Sequence, residues 1–327
     1  MPRLSRLIQN PLGRVLVFGL LVVVSLGYVL AANHFLYTSV FAPSASISED
    51  QVNANPSAVV QYWTAANMSS ATSDDLSLND TADLSQGSSA IVVGQAARQE
   101  GQSPRDANLA YPISTVGKIF FSDSSGRNYV CSGTAIASTN HNTVDTAGHC
   151  LYGHGSWMQN VLFCPLYENG KGPYDCWVAR VLEVPTDWIN AGFNDLHHDF
   201  GMAIVDPNSE GNLTDVVGGA GWAYNQTINQ TFSAYGYPAG HPFDGQTRQS
   251  CENASGTFWS KFAGGTVVSI PCNMTGGSSG GPWFVQVDGN WYLNGHNDFT
   301  SSLKPNHMFS PYYDDTWYAM YTRAQNT

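Results

Sequence analysis

The chain has 327 residues, a formal net charge of −12 and only 12% charged residues. Arg3, Arg6 and Arg14 precede any acid, whereas ten basic residues face 25 acidic ones beyond residue 32, a balance that excludes a nucleic-acid partner. One folded all-β unit of about 200 residues behind an N-terminal extension fits this length better than two ordinary domains, and the abundant Gly, Ser, Thr and Asn suit short strands and many turns.

Residues 1–14 hold three arginines and no acid, and residues 15–32 then run almost without polar interruption, the pattern of an export signal. The apolar run also just reaches a bilayer span, so an uncleaved anchor is the competing reading of 1–32. Small residues in Val29-Leu30-Ala31 and Leu30-Ala31-Ala32 favour cleavage. Either way the folded part is expected outside the cytoplasm: secreted, or, with the anchor kept, on the outer side of the membrane. Residues 33–111 are rich in Ser, Asn, Asp, Gln and Ala, with eight acids against Arg98 and Arg105. Such a composition offers too little apolar surface to order itself and reads as a flexible spacer or a pro-segment. Asn67-Met68-Ser69, Asn79-Asp80-Thr81 and Asn225-Gln226-Thr227 are formal glycosylation sequons, as a chain this rich in Asn and Thr produces by composition alone.

Runs with strand character follow at 115–121, 129–137, 143–147, 176–184, 199–205, 231–235, 266–270, 282–287 and 291–294, separated by Gly, Asn, Asp and Pro. No helix alternates with them, which disfavours a parallel βαβ architecture and predicts antiparallel barrels. Only the tail, 312–324, has helical spacing, with Tyr313, Trp317, Met320 and Tyr321 on one face, a stripe expected to dock on the barrels.

All six cysteines lie between Cys131 and Cys272, an even number that argues for a disulfide-forming compartment. No Cys-x-x-Cys or His-x-x-x-His spacing occurs, so neither a metal nor another cofactor is expected. The chemistry concentrates in Gly276-Gly277-Ser278-Ser279-Gly280-Gly281-Pro282, where a serine among glycines lets backbone approach a substrate. A serine hydroxyl needs a general base and oxyanion donors. Upstream, Thr146-Ala147-Gly148-His149-Cys150 offers the base, and Asp199 opens an apolar run and offers a carboxylate. Asp187 and Asp195 are rivals in loop-like sequence. His197 and His198 read as polar residues at the mouth of the strand, pointing to opposite faces rather than to one metal.

These motifs, in the order His, Asp, Ser, together with Val130-Cys131-Ser132-Gly133-Thr134-Ala135, resemble the chymotrypsin-like serine peptidases, and more narrowly their secreted bacterial-type branch that includes the glutamyl endopeptidases. The resemblance runs from about Pro112 to the C-terminus and implies a peptidase domain at 112–327 built of two antiparallel six-stranded β-barrels with a C-terminal helix. It implies Ser279 as nucleophile, His149 as base, Asp199 as the residue that orients His149, and the N–H groups of Gly277 and Ser279 as oxyanion hole. The substrate would be a peptide or protein and the enzyme a monomer. It also implies a Cys131–Cys150 bridge, while sequence nearness pairs Cys164 with Cys176 and Cys251 with Cys272. Two positions, Thr275 and His296, match the glutamyl branch's substrate-carboxylate site and imply acidic preference, although Met274 stands where that branch has a hydroxyl. Ser278 stands where pancreatic-type relatives carry an aspartate that captures a freed N-terminus. Two other classes compete: a Gly-x-Ser-x-Gly esterase, which needs a helix after Ser279, and a catalytically silent trypsin-fold binding protein, which usually lacks a triad member.

Overall fold

The computed structural model describes residues 45–52, 55–74, 77–78, 85–86, 97–106, 109–191, 195–227, 230–262 and 265–327, without the side chains of 77–78, 85–86 and 260–262. The segment 1–32 lies outside the described residues, as does part of 33–111. Among the described residues no helix is long and apolar enough to cross a membrane.

Successive side chains of a strand leave on opposite faces, and β1 (Val116–Ser122) is apolar on both. Ile119 and Phe121 enter one buried cluster while Val116 and Phe120 enter another. β2 (Asn128–Ala135), β3 (Thr143–Ala147), β4 (Gln159–Pro165), β5 (Trp177–Pro185) and β6 (Phe200–Val205) complete the first half. They pair antiparallel in the order β4, β1, β2, β3, β6, β5, and β5 returns to β4. The result is a closed six-stranded barrel, which leaves its ladder without an open edge.

The second half comprises β7 (Gly221–Tyr224), β8 (Thr231–Gly236), β9 (Gln249–Ser255), β10 (Thr257–Phe262), β11 (Gly265–Pro271), β12 (Pro282–Val287), β13 (Asn290–His296), β14 (Phe299–Ser301) and β15 (His307–Pro311). They form two sheets, β9-β8-β12-β13-β7 and β14-β15-β11-β10, with Phe232, Val268, Ile270, Trp283, Val285 and Met308 in one buried cluster. All pairs among these strands are antiparallel except β7 with β13. The fold is all-β with a C-terminal helix, as the sequence indicates.

Among the described residues five helices interrupt the strands: α1 (Pro56–Tyr62), α2 (Ala65–Ser70), α3 (Thr186–Ala191), α4 (Leu213–Val217) and α5 (Asp315–Ala324). The sequence indicates only the last. The others have five to seven residues, too short for a periodic stripe, and α1 and α2 are set by Asn55 and Thr64, whose side chains cap them. Asp314 caps α5 by accepting from Thr316 N and Trp317 N. The expected stripe is buried: Tyr313, Trp317, Met320 and Tyr321 join Phe200 and Met202 of the barrel and Trp222 and Leu293 of the second half in one cluster.

The reading of 33–111 as unable to order itself is corrected for its described parts. Ile47–Gln51 pairs with β5, Thr72–Ser73 with β2, Ser77–Leu78 with β14, Ser85–Gln86 with β10 and Ala97–Gln99 with β7. Composition misses this because the segment supplies backbone hydrogen bonds to strands that exist without it. Its few apolar side chains use an existing core, as Val59 and Trp63 do beside Phe120 and Leu162.

Candidate active site

The β3–β6 ladder places Phe200 opposite Ala147. The residues just past that pair therefore meet: Gly148–Cys150, a 3-10 turn, and Asp199, which ends the turn Leu196–His198. Asp199 grips His149 at two points. Its Oδ1 accepts the His149 backbone N–H at 2.7 Å, and its Oδ2 lies 2.8 Å from Nδ1. Burial alone would raise the Asp199 carboxyl, but the charge of His149 and hydrogen bonds from His149 and Asp298 hold it below the usual carboxylate range. A carboxylate can only accept, so Nδ1 carries the proton and Nε2 is left basic.

The turn holding Ser279 is fixed to the same place from the other half. Cys131 and Cys150 form a disulfide, as do Cys164 with Cys176 and Cys251 with Cys272. Ser132, the next residue on β2, donates its backbone N–H to Ser279 O at 2.7 Å, and Cys150 Sγ lies 3.8 Å from the same oxygen. The Ser132 hydroxyl donates to Gly277 O at 2.9 Å and accepts from Tyr237 N at 2.8 Å. The turn needs its glycines: Gly277 has φ +90° and a Cβ there would meet Tyr237 O at 2.9 Å, while one on Gly280, at φ +78°, would collide with Thr146 Oγ1 and Ser132 O. Neither the Gly277 nor the Ser279 N–H donates a hydrogen bond among the described residues, so both are available to an oxyanion. Pro282 opens β12 rather than a helix, which removes the strand-turn-helix that an esterase elbow requires.

Not every expected residue lands in the site. His296 is fully buried, with Nδ1 2.9 Å from the Tyr313 hydroxyl, Nε2 3.1 Å from Asp199 O, and its N–H on Ser310 Oγ. It is a core histidine that braces the backbone of Asp199, so the reading of it as the receptor of a substrate carboxylate is corrected. Thr275 sits at the approach to the turn, but its hydroxyl donates to Gly240 O and accepts from Gly240 N, which ties two loops together. His197 and His198 belong to a 3-10 turn rather than a strand, and their rings lie 4.6 Å apart. His198 Nδ1 pairs with Asp195, the rival acid, at 2.7 Å, and His197 Nε2 approaches Asp314 at 3.3 Å. The other rival, Asp187, lies in the first turn of α3.

Two residues of the site escape the sequence reading. Ser132 is legible only as part of a motif string. Asp298 stands in no motif, although Gly295-His296-Asn297-Asp298 sets three polar residues at the end of a strand and so gives the one available signal. Its carboxyl is buried with an oxygen 3.6 Å from His149 Nδ1, and its carbonyl accepts from Ser279 Oγ at 3.4 Å. Burial, then the charge of Asp199 and the contact with it, push this carboxyl well above the ordinary range. His149, Asp199 and Asp298 bring one ligand atom each within 4.8 Å of one another, a spacing that a cation could use, whereas Cys131 and Cys150 beside His149 are oxidised and offer no thiolate.

No family model and no curated protein matches the chain. Solved structures do. A thermostable serine protease, AL20, from an extremophilic microorganism is 38% identical with a TM-score of 0.59, over 66% of this chain and 100% of that one. The protease Anisep from Arthrobacter nicotinovorans is 37% identical, also at 0.59, over 69% of this chain and 100% of its own. Identity at this level across the whole of both proteases, on a fold with a closed antiparallel barrel and a C-terminal helix, places this chain in the family of serine proteases with the chymotrypsin-like fold.

Proposed function

We propose that the protein is a secreted endopeptidase that cleaves peptide bonds through Ser279, His149 and Asp199. The observation that carries this is the two-point hold of Asp199 on His149 beside a serine turn pinned to β2 by the Ser132 N–H, the strand that the Cys131–Cys150 bridge ties to the His149 turn. Ser279 Oγ attacks the scissile carbonyl while His149 Nε2 takes its proton, and the oxyanion settles on the Gly277 and Ser279 N–H groups. His149 then gives the proton to the departing amine, leaving an acyl-enzyme that water hydrolyses by the same steps in reverse. Asp199 keeps the imidazole in its tautomer and stabilises the imidazolium. The three disulfides fit an oxidising compartment. With His296 in the core, no acidic preference is proposed.

The residues before 112 act as a pro-segment in this reading. Support comes from the burial of Ser279, at 4% exposure, and from the pairing of Ser77–Leu78 along β14, whose first residue follows Asp298. Ser279→Ala tests the triad. Cleavage of casein at internal bonds and labelling by diisopropyl fluorophosphate should both be lost, with turnover falling on the order of 10⁴-fold or more. A variant that still cleaves at near-parent rate sinks the proposal.

A further inference from the structure

Asp298 is a second buried acid at the His149–Asp199 pair, and its position is set from both halves of the molecule. Its backbone N–H donates to Phe309 O at 2.9 Å. Asn297 beside it holds the serine turn: its N–H donates to Gly281 O, its carbonyl accepts the Gly280 N–H at 2.6 Å, and its amide nitrogen donates to Tyr235 O and Ser278 O. The Asp298 side chain faces the other way, toward Asp199 and His149, and all three residues are at most 3% exposed. His296, Tyr313 and, behind Tyr313, Asp145 are the remaining titratable groups of this core.

Two negative carboxylates in contact and without water are mutually destabilising, so one of a buried pair keeps a proton. Geometry decides which. Asp199 accepts two N–H donors of His149, the second at 2.8 Å, and those bonds reward its charge. The nearest Asp298 oxygen lies 3.6 Å from the same Nδ1, beyond a hydrogen bond, and neither of its oxygens accepts a donor among the described residues.

We propose that Asp298 is a positioning residue that stays protonated and donates its carboxyl hydrogen to Asp199, fixing the rotamer in which both Asp199 oxygens serve His149. It touches no substrate atom with its side chain and acts through Asp199. Its carbonyl on Ser279 Oγ gives the same residue a grip on the nucleophile. The proposal rests on the triad reading for its catalytic consequence and, for the protonation, on the burial of both carboxyls and the grouping of His149, Asp199 and Asp298 atoms within 4.8 Å of one another.

Asp298→Asn keeps a donor in the same shape, and Asp298→Ala removes it. In the purified protein the Asn variant should hold kcat within about threefold, with the lower limb of its kcat/KM pH profile unmoved. The Ala variant should lose about ten- to a hundredfold in kcat with little change in KM, the range for one hydrogen bond to a charged group. An Asn variant as impaired as Ala, or with its lower limb displaced to lower pH, overturns the proposal, because that is the behaviour of an ionised Asp298 supporting the imidazolium. The readout that needs no activity is infrared: the carbonyl stretch of a protonated carboxyl at neutral pH should be present in the parent and missing in the Asn variant, even if Ala fails to fold. Its absence from the parent, or its appearance only after chelator treatment, refutes a shared proton and assigns the contact to a cation. Loss of casein cleavage by the parent itself, with the band present, would strike the triad reading and leave the protonation standing.

Discussion

Ser132→Ala tests whether one hydroxyl holds the oxyanion turn. Ser132 is 0% exposed, and its Oγ is the partner of both Gly277 O and Tyr237 N. Alanine fits the space and leaves the Ser132 N–H on Ser279 O intact, so Ser279 stays tied while Gly277, two positions earlier, is released. Two buried backbone groups lose their partner, which at roughly 1 kcal/mol or more each gives about 2 to 3 kcal/mol of lost stability. For a chain of this size that is roughly 3 to 5 °C in melting temperature. The catalytic consequence is separate. If the Gly277 N–H drifts from the oxyanion position, kcat should fall about tenfold, bounded by the 10² to 10³ typical when one such donor is deleted outright, while KM stays near the parent value. Urea unfolding followed by tryptophan fluorescence reads the first effect, and steady-state cleavage of a peptide substrate the second. A Ser132→Ala enzyme with kcat within twofold of the parent, whatever its stability, refutes the claim that this hydroxyl positions the oxyanion donors.

Two further predictions concern the C-terminal helix. Trp317 is fully buried and its Nε1 donates to Asp145 Oδ1 at 2.8 Å, so Trp317→Ala should cost about 3 to 5 kcal/mol for the lost side chain and more for the unpaired acid, whereas Trp317→Phe loses the donor but keeps most of the packing. Chemical denaturation should rank parent above Phe above Ala, and a Phe variant no more stable than Ala would contradict it. The pair His197–Asp314 gives a pH signature. Burial would lower the His197 imidazole, but the hydrogen bond and charge of Asp314 raise it overall; burial would raise Asp314, but its hydrogen bond and attraction to His197 and the N–H groups of α5 lower it. A raised histidine stabilises fully below its unfolded pKa of about 6.5, and a depressed aspartate above its unfolded value of about 3.9. The pair therefore contributes most from roughly pH 4 to 6.5, and Asp314→Asn should lower the melting temperature more at pH 5.5 than at pH 9; an equal loss at both would dismiss the pairing.

Much of this architecture is legible before any coordinates. The strand 143–147 is read to the residue, and the neighbours of His149, Asp199 and Ser279 mark them because glycine is needed where backbone crowds and cysteine where a bridge forms. What escapes has physical reasons. β4 carries Gln159 and Asn160 at its start, and β9 carries Ser250, Glu252 and Asn253, so neither shows the alternation that marks a half-buried strand. His296 misleads because its sequence position is next to the site while its strand turns the ring inward, under Asp199. Residues 33–111 mislead because edge pairing uses backbone, which composition does not record.

Ser132, Asn297 and Asp298 are hidden for a deeper reason. Ser132 acts through its N–H on Ser279 O and its Oγ on Tyr237 N, and Asn297 and Asp298 through Tyr235 O and the His149 ring, contacts far apart in sequence that no local pattern encodes. The chemistry at the junction makes them necessary. Three acids, Asp145, Asp199 and Asp298, are buried there in a chain already rich in negative charge. Each needs its own remedy: Asp145 accepts from Tyr313 and Trp317, Asp199 from His149, and the Asp298 carboxyl is pushed well above the ordinary range by burial and then by the charge of Asp199. Because the donors come from the Gly148–Cys150 turn, from α5 and from Tyr313 just before its cap, the two halves are joined by hydrogen bonds to buried acids as well as by apolar packing. A slip of either half by one residue would leave an acid unpaired in the interior, a cost that apolar contacts alone would not impose. That cost fixes the relative register of the His149 turn and the Ser279 turn, which the proposed chemistry requires to meet.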